Sequence, residues 1–372
     1  MIYFDHNATT PLLREARQAW LEASEQFQGN PSSPHRLGSR AENALQNARE
    51  RLAELLGCEP FDIVWTSGAT ESNNTVLHHL AETAPARAEV WISSIEHPCV
   101  LAAAARDFPK RRRLIPVERS GAIDLKWLRT EIGQARPALV AVMAANNETG
   151  VLQPWQEARA LCRERKVPFF CDAAQWIGKL RADGLGECDF VSGCAHKFGG
   201  PKGVGFLKCP TRARLQPLLV GGPQEDGRRA GTENVASVLS MLAALETCER
   251  LRADNDKRTA WKTAFETQLV KQLPGAKILG AERARLWNTV SALMPQADCQ
   301  RRWVVKLDKL GFAVSTGSAC ASGREEPSHV LQAMGCAPDE SSRVLRFSSG
   351  WKTTKADWDA LLAALVKVHV GG

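Results

Sequence analysis

At 372 residues the chain is long enough for two domains, and 44% hydrophobic against 24% charged residues is the balance of a globular protein with a full core. No apolar run approaches the roughly 20 residues that span a bilayer, and "MIYFDHNATTP" has neither the basic nor the apolar stretch of a secretory signal, so a cytoplasmic chain without a membrane partner is expected. A net charge of +7 with no aromatic-interleaved basic stripe argues against nucleic acid, and eleven cysteines without one C-x-x-C pair argue against a metal site and for free thiols in a reducing compartment.

In chain order, "AENALQNARERLAELLG" comes first. Ala41, Ala44, Leu45, Ala48, Leu52, Leu55 and Leu56 recur at helical spacing, and Gly57 supplies the stop. Short apolar runs then read as strands at 62–66, 89–94, 138–145 and 167–173, with helical patterns between them. Cys171, inside the last run, reads as a buried core thiol. The basic run Lys110 to Arg113 reads as a solvated helix end. Strands alternating with helices predict an α/β fold with a mostly parallel sheet covered on both faces. From about Arg250 the pattern changes. One long helix is expected over 248–273, then short strands in "NTVSALM" and "FAVST", then a last helix in "KADWDALLAALVKV". This predicts a large domain over 14–250 and a smaller α+β domain from 1–13 and 251–372.

In an open parallel sheet, ligands bind beyond the carboxyl ends of the strands. Polar clusters follow three of the runs. "SGATESNN" puts small residues, Gly68 and Ala69, and the Thr70 hydroxyl at a helix start, which makes either an anion cradle or a plain helix cap. It lacks the glycine-lysine pattern of nucleotide-phosphate loops. Asp172 closes a strongly apolar strand, where a carboxylate needs a partner. It is either the cap of a helix in "AAQWIGK" or the partner of a protonated ring nitrogen, as in pyridoxal phosphate enzymes. Gln175 follows about one helical turn on. Lys197 stands in "SGCAHKFGGPKG" among small residues that leave room for a cofactor, and a desolvated amine there suits a Schiff base. His196, next to it, can contact a phosphate. His97, ahead of Pro98, is either structural or placed to stack on a planar ring and relay protons. Cys320 sits between Gly317 and Gly323 in a stretch without apolar periodicity, which suits an accessible nucleophilic thiol. Arg346 in "RFSSG" suits either a grip on a carboxylate or an ordinary salt bridge.

Through nearly its whole length the chain resembles the pyridoxal phosphate-dependent cysteine desulfurases of the nitrogen-fixation and iron–sulfur-assembly type, within the class V aminotransferases. The resemblance rests on "DHNATTP", "GNPSSPHRLG", "SGATESNN", "EHPCV", "NNETG", "DAAQWIGK", "AHKFGGPKGVG", "RRAGTEN", "GSACASG" and "RFSSG". It implies the aspartate aminotransferase-like fold of type I. It also implies that Lys197 holds the cofactor, Asp172 faces the pyridinium nitrogen, Gln175 the ring oxygen, and that His97 stacks on the ring. Ala69, Thr70, Cys194 and His196 would bind the phosphate, and Thr232 would reach the phosphate of a neighbouring subunit, which makes a homodimer. Asn147 and Arg346 would fix the substrate carboxylate, with Asn30 nearby. The implied reaction converts L-cysteine and the Cys320 thiol to L-alanine and a persulfide on Cys320, for delivery to an acceptor protein.

The chain departs from the family pattern in three places. Cys194 stands where a phosphate-binding serine is usual, and a thiol is the weaker donor. Pro223 and Asp226 replace more usual small and basic residues. Only 26 residues follow Arg346, fewer than in relatives whose tail docks a scaffold protein. Two other readings use the same residues: a selenocysteine lyase or related β-eliminase, which need not depend on Cys320, and a desulfurase-like protein that binds a partner without turnover.

Overall fold

The computed structural model describes residues 1–296, 303–316 and 328–370. Strands of the first half are β1 (Ile2–Tyr3), β2 (Ile63–Thr66), β3 (Val90–Ser93), β4 (Arg112–Ile115), β5 (Leu139–Ala141), β6 (Phe169–Asp172), β7 (Phe190–Cys194) and β8 (Gly205–Lys208). Helices of the same half are α1 (Arg14–Gln26), α2 (Arg36–Leu56), α3 (Ala69–Thr83), α4 (Pro98–Asp107), α5 (Leu125–Gln134), α6 (Trp155–Glu164) and α7 (Val235–Leu251). β2 to β8 form one seven-stranded sheet in the order β2-β8-β7-β6-β5-β3-β4. Every pairing from β7 to β4 is parallel, and β8 runs antiparallel to both of its neighbours. This is the mostly parallel α/β sheet expected from the sequence, in the type I fold.

Both faces of the sheet are covered. One face and its helices form a core that includes Leu45, Leu52, Trp91, Val140, Phe169 and Met241; the other gathers Val64, Val76, Ile92, Val100 and Phe170. α2 lays Ala41, Leu45, Ala48 and Leu52 on the first and ends at Gly57, whose left-handed φ of 73° closes the helix.

After α7 come α8 (Asn255–Gln272), β9 (Lys277–Ile278), β10 (Thr289–Leu293), α9 (Trp303–Lys309), β11 (Phe312–Ala313), β12 (Ser315–Thr316), α10 (His329–Ala333), α11 (Pro338–Ser341), β13 (Val344–Ser348) and α12 (Lys355–Val370). β12, β13, β10 and β9 make a four-stranded antiparallel sheet, and β1 pairs with β11. A separate core of Phe4, Phe265, Leu269, Phe347, Trp358 and Leu361 lies beneath it.

Four expectations change. The helix read over 248–273 is two helices, joined by a 3₁₀ turn at Arg252–Asp254. Met241, Leu245 and Cys248 of α7 pack into the first core, whereas Phe265 and Leu269 of α8 pack into the separate one, so the chain must be re-aimed between them. The basic run is a turn into edge strand β4: Lys110 has φ 60°, and Arg113 pairs with Glu131 at 2.7 Å while lying over Trp127. The run 138–145 is regular only over β5; beyond it, Val142 and Ala144 still donate to Phe170 and Asp172 carbonyls. Finally, no helix follows Asp172. "AAQWIGK" is a series of turns.

Candidate active site

Five parallel segments deliver their ends to one place. β2 leads through Ser67 and Gly68 into α3, β3 into His97 and α4, β5 towards Asn147, β6 ends on Asp172, and β7 runs into Cys194, His196 and Lys197. They enclose a cavity of about 440 Å³, within the ordinary range for a small-molecule site. Nine of the residues expected at the site line it: Ala69, Thr70, His97, Asn147, Asp172, Gln175, Cys194, His196 and Lys197. The backbone can close this tightly because Gly205 lacks a side chain; a Cβ there would sit 2.7 Å from Gly68 Cα and 2.4 Å from the Gly193 carbonyl oxygen.

Asp172 is only 6% exposed. Its Oδ2 accepts from Asn73 Nδ2 at 2.8 Å and its Oδ1 from the Ala174 amide at 2.9 Å. Among the described residues it has no salt-bridge partner within 4 Å. A buried carboxylate with hydrogen bonds but no cation fits a cationic ring atom in the cavity. Beneath it lies Glu96, fully buried, whose Oε1 accepts from the Met143 amide at 2.6 Å and whose Oε2 has no partner among the described residues. Burial first, then the Asp172 charge, push the Glu96 carboxyl well above the usual range. Both effects disfavour the ionised form of Glu96.

His97 caps α4: its Nδ1 accepts from the Cys99 amide at 3.2 Å. That bond leaves the neutral ring's proton on Nε2. Burial lowers its basicity, opposed by Asp172 and reinforced by Lys197 and His329. His196, also buried for the most part, is pushed down to about 4, by burial first and then by Lys197, Lys202 and Lys179. Its Nδ1 lies 3.3 Å from Thr9 Oγ1. Lys197 Nζ donates to the carbonyls of Asn7 and Ala8 at 2.6 and 2.9 Å, and both belong to the N-terminal "DHNATTP" segment. Asn7 is itself a hub, 1% exposed, that joins Lys179, Asn288, Thr289 and the Asn147 carbonyl.

Three expected residues lie elsewhere. Arg346, 1% exposed, pairs with Asp5 at 2.7 Å and donates to the Asn147 carbonyl at 3.1 Å, which is the salt-bridge alternative; its Nε has no partner among the described residues. Asn30 is exposed and its Oδ1 accepts from the Ser32 amide, so its side chain closes a local turn. Thr232 is exposed and lines a second, smaller cavity that meets the first at Ser67 and Gly203. Cys320 lies outside the described residues.

The site also holds residues that sequence reasoning did not single out. Asn73 sits one turn after Ala69 on α3, so helical spacing alone could have placed it on the same face. Cys99 lines the cavity with its Sγ 3.0 Å from His97 Nδ1; burial pushes that thiol up to about 12. Asp5, Asn7 and Lys179 stand inside "DHNATTP" and "DAAQWIGK", but nothing in their immediate neighbours marked what they would touch.

A mostly parallel sheet of type I topology, with a lysine, a buried carboxylate and a helix start converging at its carboxyl edge, defines a class of group-transfer enzymes built around one small cavity. The aminotransferase class-V family model matches residues 2–361. A cysteine desulfurase of Cereibacter sphaeroides is 38% identical over 371 residues, covering 98% of this chain and 94% of that one. Among solved structures, a NifS-like protein superposes with a TM-score of 0.90 at 31% identity over the full length of both chains. SspA, solved in complex with cysteine, superposes at 0.81 with 29% identity over 95% of this chain and 100% of that one. The chain belongs to the class-V aminotransferase family.

Proposed function

We propose that the chain is a pyridoxal phosphate-dependent cysteine desulfurase that converts L-cysteine to L-alanine and passes the sulfur to Cys320 as a persulfide, for iron–sulfur cluster assembly or another sulfur-transfer pathway. The observation that carries this reading is the buried Asp172, which has no salt bridge among the described residues and faces the same cavity as Lys197. When bound, pyridoxal phosphate supplies an electron sink for the α-carbon of an amino acid. Asp172 would hold its ring nitrogen, Gln175 its ring oxygen, and Ala69, Thr70 and His196 its phosphate. Cys194 replaces a hydroxyl there with a thiol.

The roles of the chain's own groups follow from their surroundings. Lys197 would move the α-proton, and its neighbours Asn7 and Ala8 hold Nζ at the cavity wall meanwhile. His97 presents Nε2–H to the cavity side, a donor at neutral pH. Asn147 and Arg346 would fix the substrate carboxylate, with Arg346 donating to the Asn147 carbonyl. Cys320 would accept the sulfur. Support for the domain boundaries at 14–250 against 1–13 and 251–372 comes from the separate cores, since Phe4 packs with Phe265 and Phe347, not with the large sheet.

The test is alanine release from L-cysteine with a thiol reductant present, for the wild type and Cys320→Ala. Release by the wild type and its loss in the variant is the expected outcome. Equal release by both would remove Cys320 and favour a lyase, and no release by either would overturn the desulfurase reading.

A further inference from the structure

Lys179 is a second buried amine beside the site, 3% exposed and four residues beyond Gln175. Its Nζ donates to Asn7 Oδ1 at 3.0 Å and to Gln175 Oε1. Burial lowers its basicity well below the ordinary range, and the nearby cations Lys197 and Arg346 act in the same direction. Such an amine is costly to keep, and the hydrogen-bond pattern around it shows what it fixes.

Two amides meet Lys179, and the orientation of each is set by its other contacts. Asn7 Nδ2 donates to the Asn147 carbonyl at 3.1 Å and to Thr289 Oγ1 at 2.9 Å, so Asn7 turns its oxygen to Lys179. Gln175 Nε2 donates to the Asn7 carbonyl at 2.9 Å. A carbonyl only accepts, so the atom of Gln175 against Lys179 must be Oε1. Two donations need two N–H bonds, which the amine has whether charged or neutral. One N–H of Gln175 Nε2 then remains without an acceptor among the described residues, on a side chain that lines the cavity.

We propose that Lys179 is a positioning residue: it locks the Gln175 carboxamide so that a nitrogen donor, not an oxygen, meets the ring oxygen of the cofactor. The proposal rests on the pyridoxal phosphate reading above. Without Lys179 only the Asn7 carbonyl holds the amide's orientation, and Oε1 loses the donor that locks it from the other side. A donor stabilises the ring oxygen as an anion, so the proton shared with it is released more easily.

The experiment titrates the visible absorbance of the bound cofactor against pH in wild type, Lys179→Met, Gln175→Leu and the double variant, each reconstituted with pyridoxal phosphate. The expected result is a midpoint raised by roughly one pH unit in each single variant, with no further rise in the double. Additive shifts would assign Lys179 a charge effect independent of Gln175 and overturn the proposal, as would an unchanged midpoint in Lys179→Met. Wild type that takes up no cofactor would instead sink the function reading itself. If Lys179→Met does not fold, Lys179→Gln keeps a donor and drops the charge: a wild-type midpoint supports positioning, a raised one overturns it. Failure of both variants to fold, judged by circular dichroism, would assign Lys179 to the fold alone.

Discussion

Cys194 places a sulfur against the start of α3, where the Ala69 amide hydrogen-bonds to it; burial nevertheless dominates and pushes the thiol up to about 11. At neutral pH it is therefore an S–H, a weak donor towards any anion in the cradle. A hydroxyl of similar size donates better. Cys194→Ser is expected to tighten pyridoxal phosphate binding about fivefold, the worth of one improved hydrogen bond. Equilibrium dialysis against the free cofactor measures this, and looser binding by the serine variant would show that Cys194 does not face the phosphate. At this scale, legibility followed locality. Asp172, Lys197 and Thr70 each carry their signal within a few residues: a carboxylate after an apolar strand, an amine among small residues, a hydroxyl at a helix start. Asn7 and Lys179 carry little, because their significance lies in contacts with residues far along the chain, up to 341 positions away for Asn7 and Ser348.

Helix and strand ends show the same division. The β strands feeding the site were visible because buried parallel strands are continuous apolar runs. The break between α7 and α8 was not, since a helical pattern does not say which core it faces. α10 adds a case where an element's cap reaches the loop beside Asn147. Ser328 caps it by accepting from the Leu331 amide at 3.2 Å, and the same hydroxyl donates to Glu148 Oε2 at 2.5 Å. Burial pushes the Glu148 carboxyl up to about 7, against the Ser328 bond and the Arg346 charge. Between the ordinary carboxyl range and that value, the folded chain holds a proton that the unfolded chain releases. Stability is then fully present below pH about 4.5 and falls as pH rises towards 7. Glu148→Gln removes this titration while keeping an acceptor for Ser328. The fall in unfolding free energy from pH 5 to pH 7.5, by urea denaturation, is expected to be smaller in the variant by on the order of 3 kcal/mol. Parallel profiles for variant and wild type would show that Glu148 ionises freely.

Across the whole molecule, the N-terminal segment ties the separate cores together. Phe4 belongs to the smaller core, while Asn7 and Ala8 receive Lys197 from the large sheet. The cavity wall thus includes the N-terminal segment at Thr9, yet one residue assigned to the cofactor stands outside it. Thr232 is exposed and borders the cavity only through the shared Ser67 and Gly203. An exposed hydroxyl at the mouth of one site is well placed to serve the site of a second copy related by a two-fold axis. The chain mass is 40.7 kDa, and light scattering is expected to return twice that value. The sharper test separates the two roles by mixing. Lys197→Ala and Thr232→Ala chains, dissociated together and reassociated, form mixed dimers. If Thr232 acts across the interface, each mixed dimer holds one site with both wild-type residues, and alanine release recovers to about a quarter of the wild-type rate in an equimolar mixture. If Thr232 serves its own chain, every site in the mixed dimer lacks one of the two residues, and mixing restores nothing.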